Sequence, residues 1–206
     1  MKTGRTRSFL LALAVGISML LAWPATGGQE AQASLEGFVP FATTITVNST
    51  TDPDTSDGGT CLTASPCTLR RALIQARTAE KPVLIAFDIP ISDPGYNATL
   101  QIWRIQFSGI SSAAQAALRY LTGDITIDGT TQPNGRTAGP KIILAGPTTG
   151  QRDGIKLGET AFQNNNVLRG LGFQNFSDHV YVNSDANLIE GNWFGLSNDG
   201  QLPYVR

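Results

Sequence analysis

Arg169 and Glu190 occupy equivalent places in two similar segments of this 206-residue chain. A cation beside a carboxylate is the kind of pair a polysaccharide lyase uses, where an Arg or Lys base works next to an acidic calcium cluster; Arg169 next to Glu190 could be half of such a site, with Lys156 or Asp185 nearby. The simpler alternative is an exposed salt bridge between stacked segments, worth 0 to about 1 kcal/mol, and it is the preferred reading. Asp178-His179 holds the single histidine, which reads as a solvent-facing residue at the start of a strand rather than a general base. The loop from Asp52 to Gly58 carries carboxylates at Asp52, Asp54 and Asp57, which repel one another unless a cation sits among them. It fails as an EF-hand, because Asp57 stands sixth and Thr63 twelfth, so an irregular calcium site competes with a solvated acidic turn. No phosphate-cradling loop, nucleophile elbow or metal-binding histidine pair is present, no catalytic residue is assigned, and no cofactor beyond calcium is suggested. Tyr181 and Trp193, if they face outward, could stack on sugar rings, so these two with Arg169 and Glu190 are the candidate carbohydrate contacts.

The chain that must position these residues is 41% hydrophobic and 15% charged, with 15 basic against 16 acidic side chains. That is one domain of globular composition, and its low, balanced charge excludes nucleic acid as the main partner. Lys2, Arg5 and Arg7 precede an apolar run from Phe9 to Ala22, the layout of a signal peptide. Such a run spans about 21 Å as a helix, short of the roughly 30 Å hydrocarbon core, so no stable membrane span is expected after cleavage at Ala25-Thr26-Gly27 or Ala31-Gln32-Ala33. The expected location is secreted or at the cell surface. An exported chain meets oxidising conditions, so Cys61 and Cys67, six apart, are expected to form a local disulfide that shapes a turn. A metal site would need ligands that neither thiol has nearby.

Thr43 to Asn48 reads as a short strand. Leu69, Ala72, Leu73 and Ala76 share one helical face, with Thr68 as N-cap and Arg70, Arg71 and Arg77 outside. Strands follow at 82–89, 99–107, 124–128, 141–144, 154–157, 167–173, 179–182 and 188–194, with a further helical turn or two around 111–118. Asn166 to Phe173 aligns with Asn187 to Phe194 at a period of 21, and the aliphatic-x-Gly element recurs at Gly129 and Gly146. A period near 21 fits one coil of a parallel β-solenoid with neighbours about 4.8 Å apart. Leu168 and Ile189 then point inward, Asn166 and Asn187 form an amide ladder, and Phe173 and Phe194 an aromatic one. The outward column reads Asp128, Ala145, Arg169 and Glu190, which puts Asp128 and Glu190 three coils and roughly 14 Å apart, too far for a glycosidase pair.

Thr46 to Asp52, Cys61, and Cys67-Thr68-Leu69-Arg70-Arg71-Ala72-Leu73 with Ala76 resemble the CSLREA domain of exported bacterial surface proteins. Ile125 to Pro133, and Gly191 to Gly195 with Asp199-Gly200, look like the right-handed parallel β-helix repeats that accompany it; Arg71 and Arg77 depart from its Glu and Asn. The resemblance implies an all-β, right-handed parallel β-helix of the pectin-lyase-like kind, with a short N-terminal capping α-helix over its open end. The expected organisation is a signal peptide and spacer at 1–33, a cap with the disulfide loop and helix at 34–80, and β-helix coils at 81–206. Residues 201–206 supply no capping element, so the coils are expected either to continue in a longer protein or to pair with another chain. The expected function is a non-catalytic exported surface protein that binds polysaccharide or other cell-surface components, or serves as an adhesin or stalk; the alternative is a calcium-dependent polysaccharide lyase.

Overall fold

A computed structural model describes residues 40–52, 59–107, 118, 120–147 and 153–200. The expected signal segment, the loop carrying Asp54 and Asp57, all but residue 118 of the helical turn expected around 111–118, and the last six residues lie outside these. The first sheet runs β1 (Thr43–Val47), β2 (Val83–Phe87), β5 (Ile125–Asp128), β8 (Val167–Arg169), β11 (Leu188–Glu190), every pair parallel. The second runs β3 (Tyr96–Asn97), β4 (Ile102–Gln106), β6 (Ile142–Ala145), β9 (Leu171–Gln174), β12 (Trp193–Phe194), parallel except for the antiparallel β3. Parallel β7 (Ile155–Leu157) and β10 (Val180–Val182) form the third face, which Leu121 extends through a bridge to Leu157. From β5 onward the chain visits the three sheets in turn, one strand in each, which is a right-handed parallel β-helix.

One rung is too thin to enclose a core, so the interior is made by rows of like side chains stacked from rung to rung. Ile45, Ile85, Ile127, Leu168 and Ile189 stand in one register column, and Ile105, Leu144, Phe173 and Phe194 in another. Apart from the two residues of the last rung, these are at most 2% exposed, whereas Ile189 and Phe194 are exposed. The rings of Phe173 and Phe194 stack at 5.3 Å with 19° between their planes. Asn166, completely buried, donates from Nδ2 to Asn187 Oδ1 at 3.0 Å, and its backbone N–H meets the same oxygen at 3.1 Å.

The spacing expected from the sequence holds for the last two rungs and fails before them. Arg169 and Glu190 are 21 residues apart on neighbouring strands, but Asp124 and Asn165, also on neighbouring rungs, are 41 apart. The difference is inserted loop, which a thin coil can expel outward without disturbing its core. Two consequences correct the sequence reading. Ala145 belongs to the second sheet, where it pairs with Gln106 and Gln174, and Gly146 follows that strand, so Ala145 is absent from the Asp128 column. Asp128 and Glu190 are separated by the single strand β8, two rung steps or roughly 10 Å, rather than three. The strands expected at 167–173 and 188–194 are each two, broken at Gly170 (φ 64°) and Gly191 (φ 62°), where the chain turns from the first sheet to the second.

Helix α1 (Leu69–Ala76) starts where Thr68 accepts from the Arg71 N–H, and Leu69, Ala72, Leu73 and Ala76 enter the core at its N-terminal end. Arg70 is not outside. Its side chain is 4% exposed, and the guanidinium grips Asp52 with two parallel bonds, Nε to Oδ1 at 2.7 Å and Nη2 to Oδ2 at 3.0 Å. Cys61 and Cys67 are joined by a disulfide in the preceding turn.

Candidate functional site

The first-to-second-sheet bends stack along one corner of the solenoid, and their backbones come very close. A Cβ on Gly129 would collide with the Gly170 carbonyl oxygen, and one on Gly170 would meet the Thr130 methyl. Asn192 ties two bends together, accepting from the Leu171 N–H at 2.9 Å and donating to the Leu168 carbonyl at 2.9 Å. Such small, self-satisfied bends leave a trough along the outer corner, a groove of about 590 Å³. Gly129, Thr130, Gly170, Gly191 and Asn192 floor it, and Arg136 to Lys141 of the long 129–141 insertion wall it on one side. Arg169 and Trp193 also line it.

The wall is fixed. The Arg136 guanidinium lies 4.6 Å over the Trp193 ring while donating to the carbonyls of Asn198 and Pro140. Burial disfavours its charge, and Asp199 offsets part of that effect. Gly139 and Gly200 both press on the indole, so any side chain at either position would overlap it. Lys141 donates to the Gln132 carbonyl at 2.7 Å.

Arg169 stands between two carboxylates, with Nε 2.5 Å from Glu190 Oε1 and Nη1 3.5 Å from Asp128 Oδ2. Asp128 spends its other oxygen on Thr130, receiving both N–H (2.9 Å) and O–H (2.6 Å). An inverting glycosidase keeps a water between its carboxyl groups; here a guanidinium fills that space. Among the described residues no three His, Cys, Asp or Glu gather closely enough to hold a metal. Asp52, first of the expected calcium ligands, is bound to Arg70.

The candidate carbohydrate contacts therefore separate. Arg169 and Trp193 share the groove, Glu190 touches it through Arg169, and Tyr181 lies on the third sheet. Lys156 sits 5.3 Å over the Tyr181 ring and pairs with Asp153 at 2.9 Å, far from the role beside Arg169 that the lyase reading gave it. Asp185 is in the turn before β11, its carbonyl accepting from Asn165. His179 is half-buried rather than solvent-facing, its ring edge-on to Phe176 and Phe194 at 6.3 and 6.0 Å. Burial pushes its pKa down, against the opposing charge of Asp178. Arg136 and Thr137 escaped the sequence reading because they lie in an insertion with no strand pattern. The Gln132-Pro133-Asn134-Gly135 turn and Gly139-Pro140, which bracket them, were the available signal.

Comparisons with protein-family models, with curated proteins and with solved structures find no match to this chain. No helix among the described residues is long and apolar enough to cross a membrane. The architecture is thus established by its own geometry: a parallel β-helix, a scaffold that serves both adhesins and carbohydrate-active enzymes.

Proposed function

We propose that the chain forms a capped β-helix of an exported, non-catalytic surface protein, related to the CSLREA-domain proteins it resembles, and that it binds carbohydrate along the corner groove. The observation carrying this reading is the groove itself: an open trough lined by Trp193, Arg169 and Thr130. Aromatic surface beside hydrogen-bonding groups suits a sugar, which offers an apolar ring face and a rim of hydroxyls. The clamped Arg169 favours binding over catalysis, since a base must be free to take a proton.

The test is a glycan array covering neutral and acidic polysaccharides, run on the wild-type chain and on Thr137→Trp. Thr137 is exposed on the groove wall, so the indole fills the trough without entering the core. The expected result is wild-type binding to at least one glycan class, reduced at least tenfold in the variant with an unchanged melting temperature. No binding by the wild type, or equal binding by both, overturns the reading. Release of unsaturated products from a uronate polymer with calcium present would replace it with the lyase.

A further inference from the structure

The 129–141 insertion has two sides. On the side away from the groove, Asn134 and Gly135 line a second cavity of about 590 Å³, walled also by Asp88, Pro90, Ile91, Tyr96 and Gln101. It lies on the same corner of the solenoid, because Asp88 follows β2 directly, as Thr130 follows β5 and Asn192 follows β11. From Asp88 to Asn192 is three rung steps, roughly 14 Å.

The walls of this cavity are held and its polar rim is free. Gln132 clamps Ile89 with two reciprocal bonds of 2.9 Å, from the Ile89 N–H to Oε1 and from Nε2 to the Ile89 carbonyl. Trp103, fully buried, donates from Nε1 to the Pro90 carbonyl at 3.1 Å and lies 4.7 Å from the Tyr96 ring. The side chains of Asp88, Gln101 and Asn134, by contrast, are exposed and make no hydrogen bond among the described residues. In the first groove Arg136, Lys141, Arg169 and Asn192 are all engaged with protein partners. Gln101 is also held at φ 53°, a left-handed conformation that costs a residue of its type about 1–2 kcal/mol. Asp124, Asn134, Asn165 and Asn175 share that region but are of types that tolerate it, whereas Ala186, in the turn before β11, is strained in the same way at φ 53°. Backbone strain at the rim of a cavity is a recurrent mark of a functional position.

We infer that this cavity is a second sugar subsite, selective for a neutral sugar unit, on one binding track that runs along the solenoid corner and crosses the insertion; this rests on the carbohydrate reading of the first groove. Tyr96, Pro90 and Ile91 form the apolar platform. The Asp88 carboxylate accepts hydroxyl hydrogens and repels a uronate, and the Gln101 and Asn134 amides both donate and accept. A held platform with uncommitted polar groups loses little entropy on binding.

Gln101→Gly gives the sharpest test, because it removes the amide and relieves the strain together. Wild type, Gln101→Gly, Asp88→Ala and Thr137→Trp are titrated by calorimetry with short and long cello-, xylo- and manno-oligosaccharides and with oligogalacturonates, and melted in parallel. The expected result is that Gln101→Gly melts at or above the wild-type temperature, and that it and Asp88→Ala weaken long neutral oligosaccharides at least fivefold while leaving short ones unchanged. If Thr137→Trp abolishes binding but Asp88→Ala and Gln101→Gly bind long oligosaccharides as the wild type does, the second subsite is refuted and the first reading stands. Wild-type binding of oligogalacturonates alone has the same meaning. If the wild type binds none of the sugars, both fall.

Discussion

The Arg70–Asp52 pair makes a demand on stability that can be measured. Both side chains are almost withdrawn from water, at 4% and 2% exposure, and the guanidinium also lies 5.8 Å from the Phe107 ring centroid. Removing one member of a buried pair leaves the other charge desolvated without its partner, which typically costs 3–5 kcal/mol. Arg70→Met keeps most of the side-chain volume and the contact with the ring, so the loss it reports is mainly that of the charge pair. For a domain of this size each kcal/mol moves the melting temperature by about 2–4 °C, so a fall of roughly 6–20 °C is expected. Replacing both charges, in Arg70→Met with Asp52→Leu, should recover most of the loss, because an apolar pair of similar volume is often as stable as a buried ion pair. The assay is urea unfolding of the four proteins of the cycle with the Cys61–Cys67 disulfide intact, followed by tryptophan fluorescence. A loss below about 1 kcal/mol for Arg70→Met, or a double variant no better than the single ones, would refute the argument that this pair fastens the helix to the solenoid.

Gly170→Ala forces a Cβ into the left-handed region against the Thr130 methyl and should cost about 2 kcal/mol or more in urea unfolding, while Gly191→Ala, with no atom nearer than 3.8 Å, should cost only the backbone part. Phe173→Ala, at a fully buried position, is expected to lose 3–5 kcal/mol, and Phe194→Ala, at 43% exposure, clearly less; equal losses would mean that the last rung is covered in solution. Because burial depresses the His179 pKa, the folded state resists protonation there, so its contribution is present above the ordinary value near 6.5 and is lost as pH falls through the lower folded value. The wild-type unfolding free energy should therefore fall more between pH 7.5 and pH 5 than that of His179→Phe, and parallel curves would contradict this.

The parts of the fold legible in the sequence are those whose signal is local or strictly periodic. Helix α1 announced itself through the spacing of Leu69, Ala72, Leu73 and Ala76 and the Thr68 cap, all consequences of helix geometry within a dozen residues. The last two rungs were visible because nothing interrupts the register between Asn166 and Asn187 or between Phe173 and Phe194. Earlier rungs carry insertions, and there residue counting put Ala145 in the wrong sheet and added a coil between Asp128 and Glu190. Arg70 was misread for another reason. A helical wheel assigns a charged residue to the solvent face, and only the fold reveals that Asp52, 18 residues earlier, waits beneath it. The site was the least legible part, since Arg136 meets Trp193 through tertiary packing alone, across a stretch of chain with no common motif.

The groove follows from how a thin solenoid must accommodate extra chain. The bends after β5 and β8 have to be glycine, because the Gly129 and Gly170 backbones nearly touch, and stacked glycines make a corner with no outward side chains to fill it. The insertion after Gly129 cannot enter an interior only one rung thick, so it lies outside, beside that empty corner. There it is fastened on both sides, by Gln132 on Ile89 and by Arg136 on Trp193. A loop anchored in this way becomes a wall, and a wall beside a trough makes a cleft on each of its faces. Neither cleft needs any residue to move for a ligand to enter. On the carbohydrate reading proposed above, such clefts suit an extended polymer lying along the corner: Arg169 and Asp128 are held by their own bonds in the first, and Asp88 in the second is free to accept hydroxyl hydrogens.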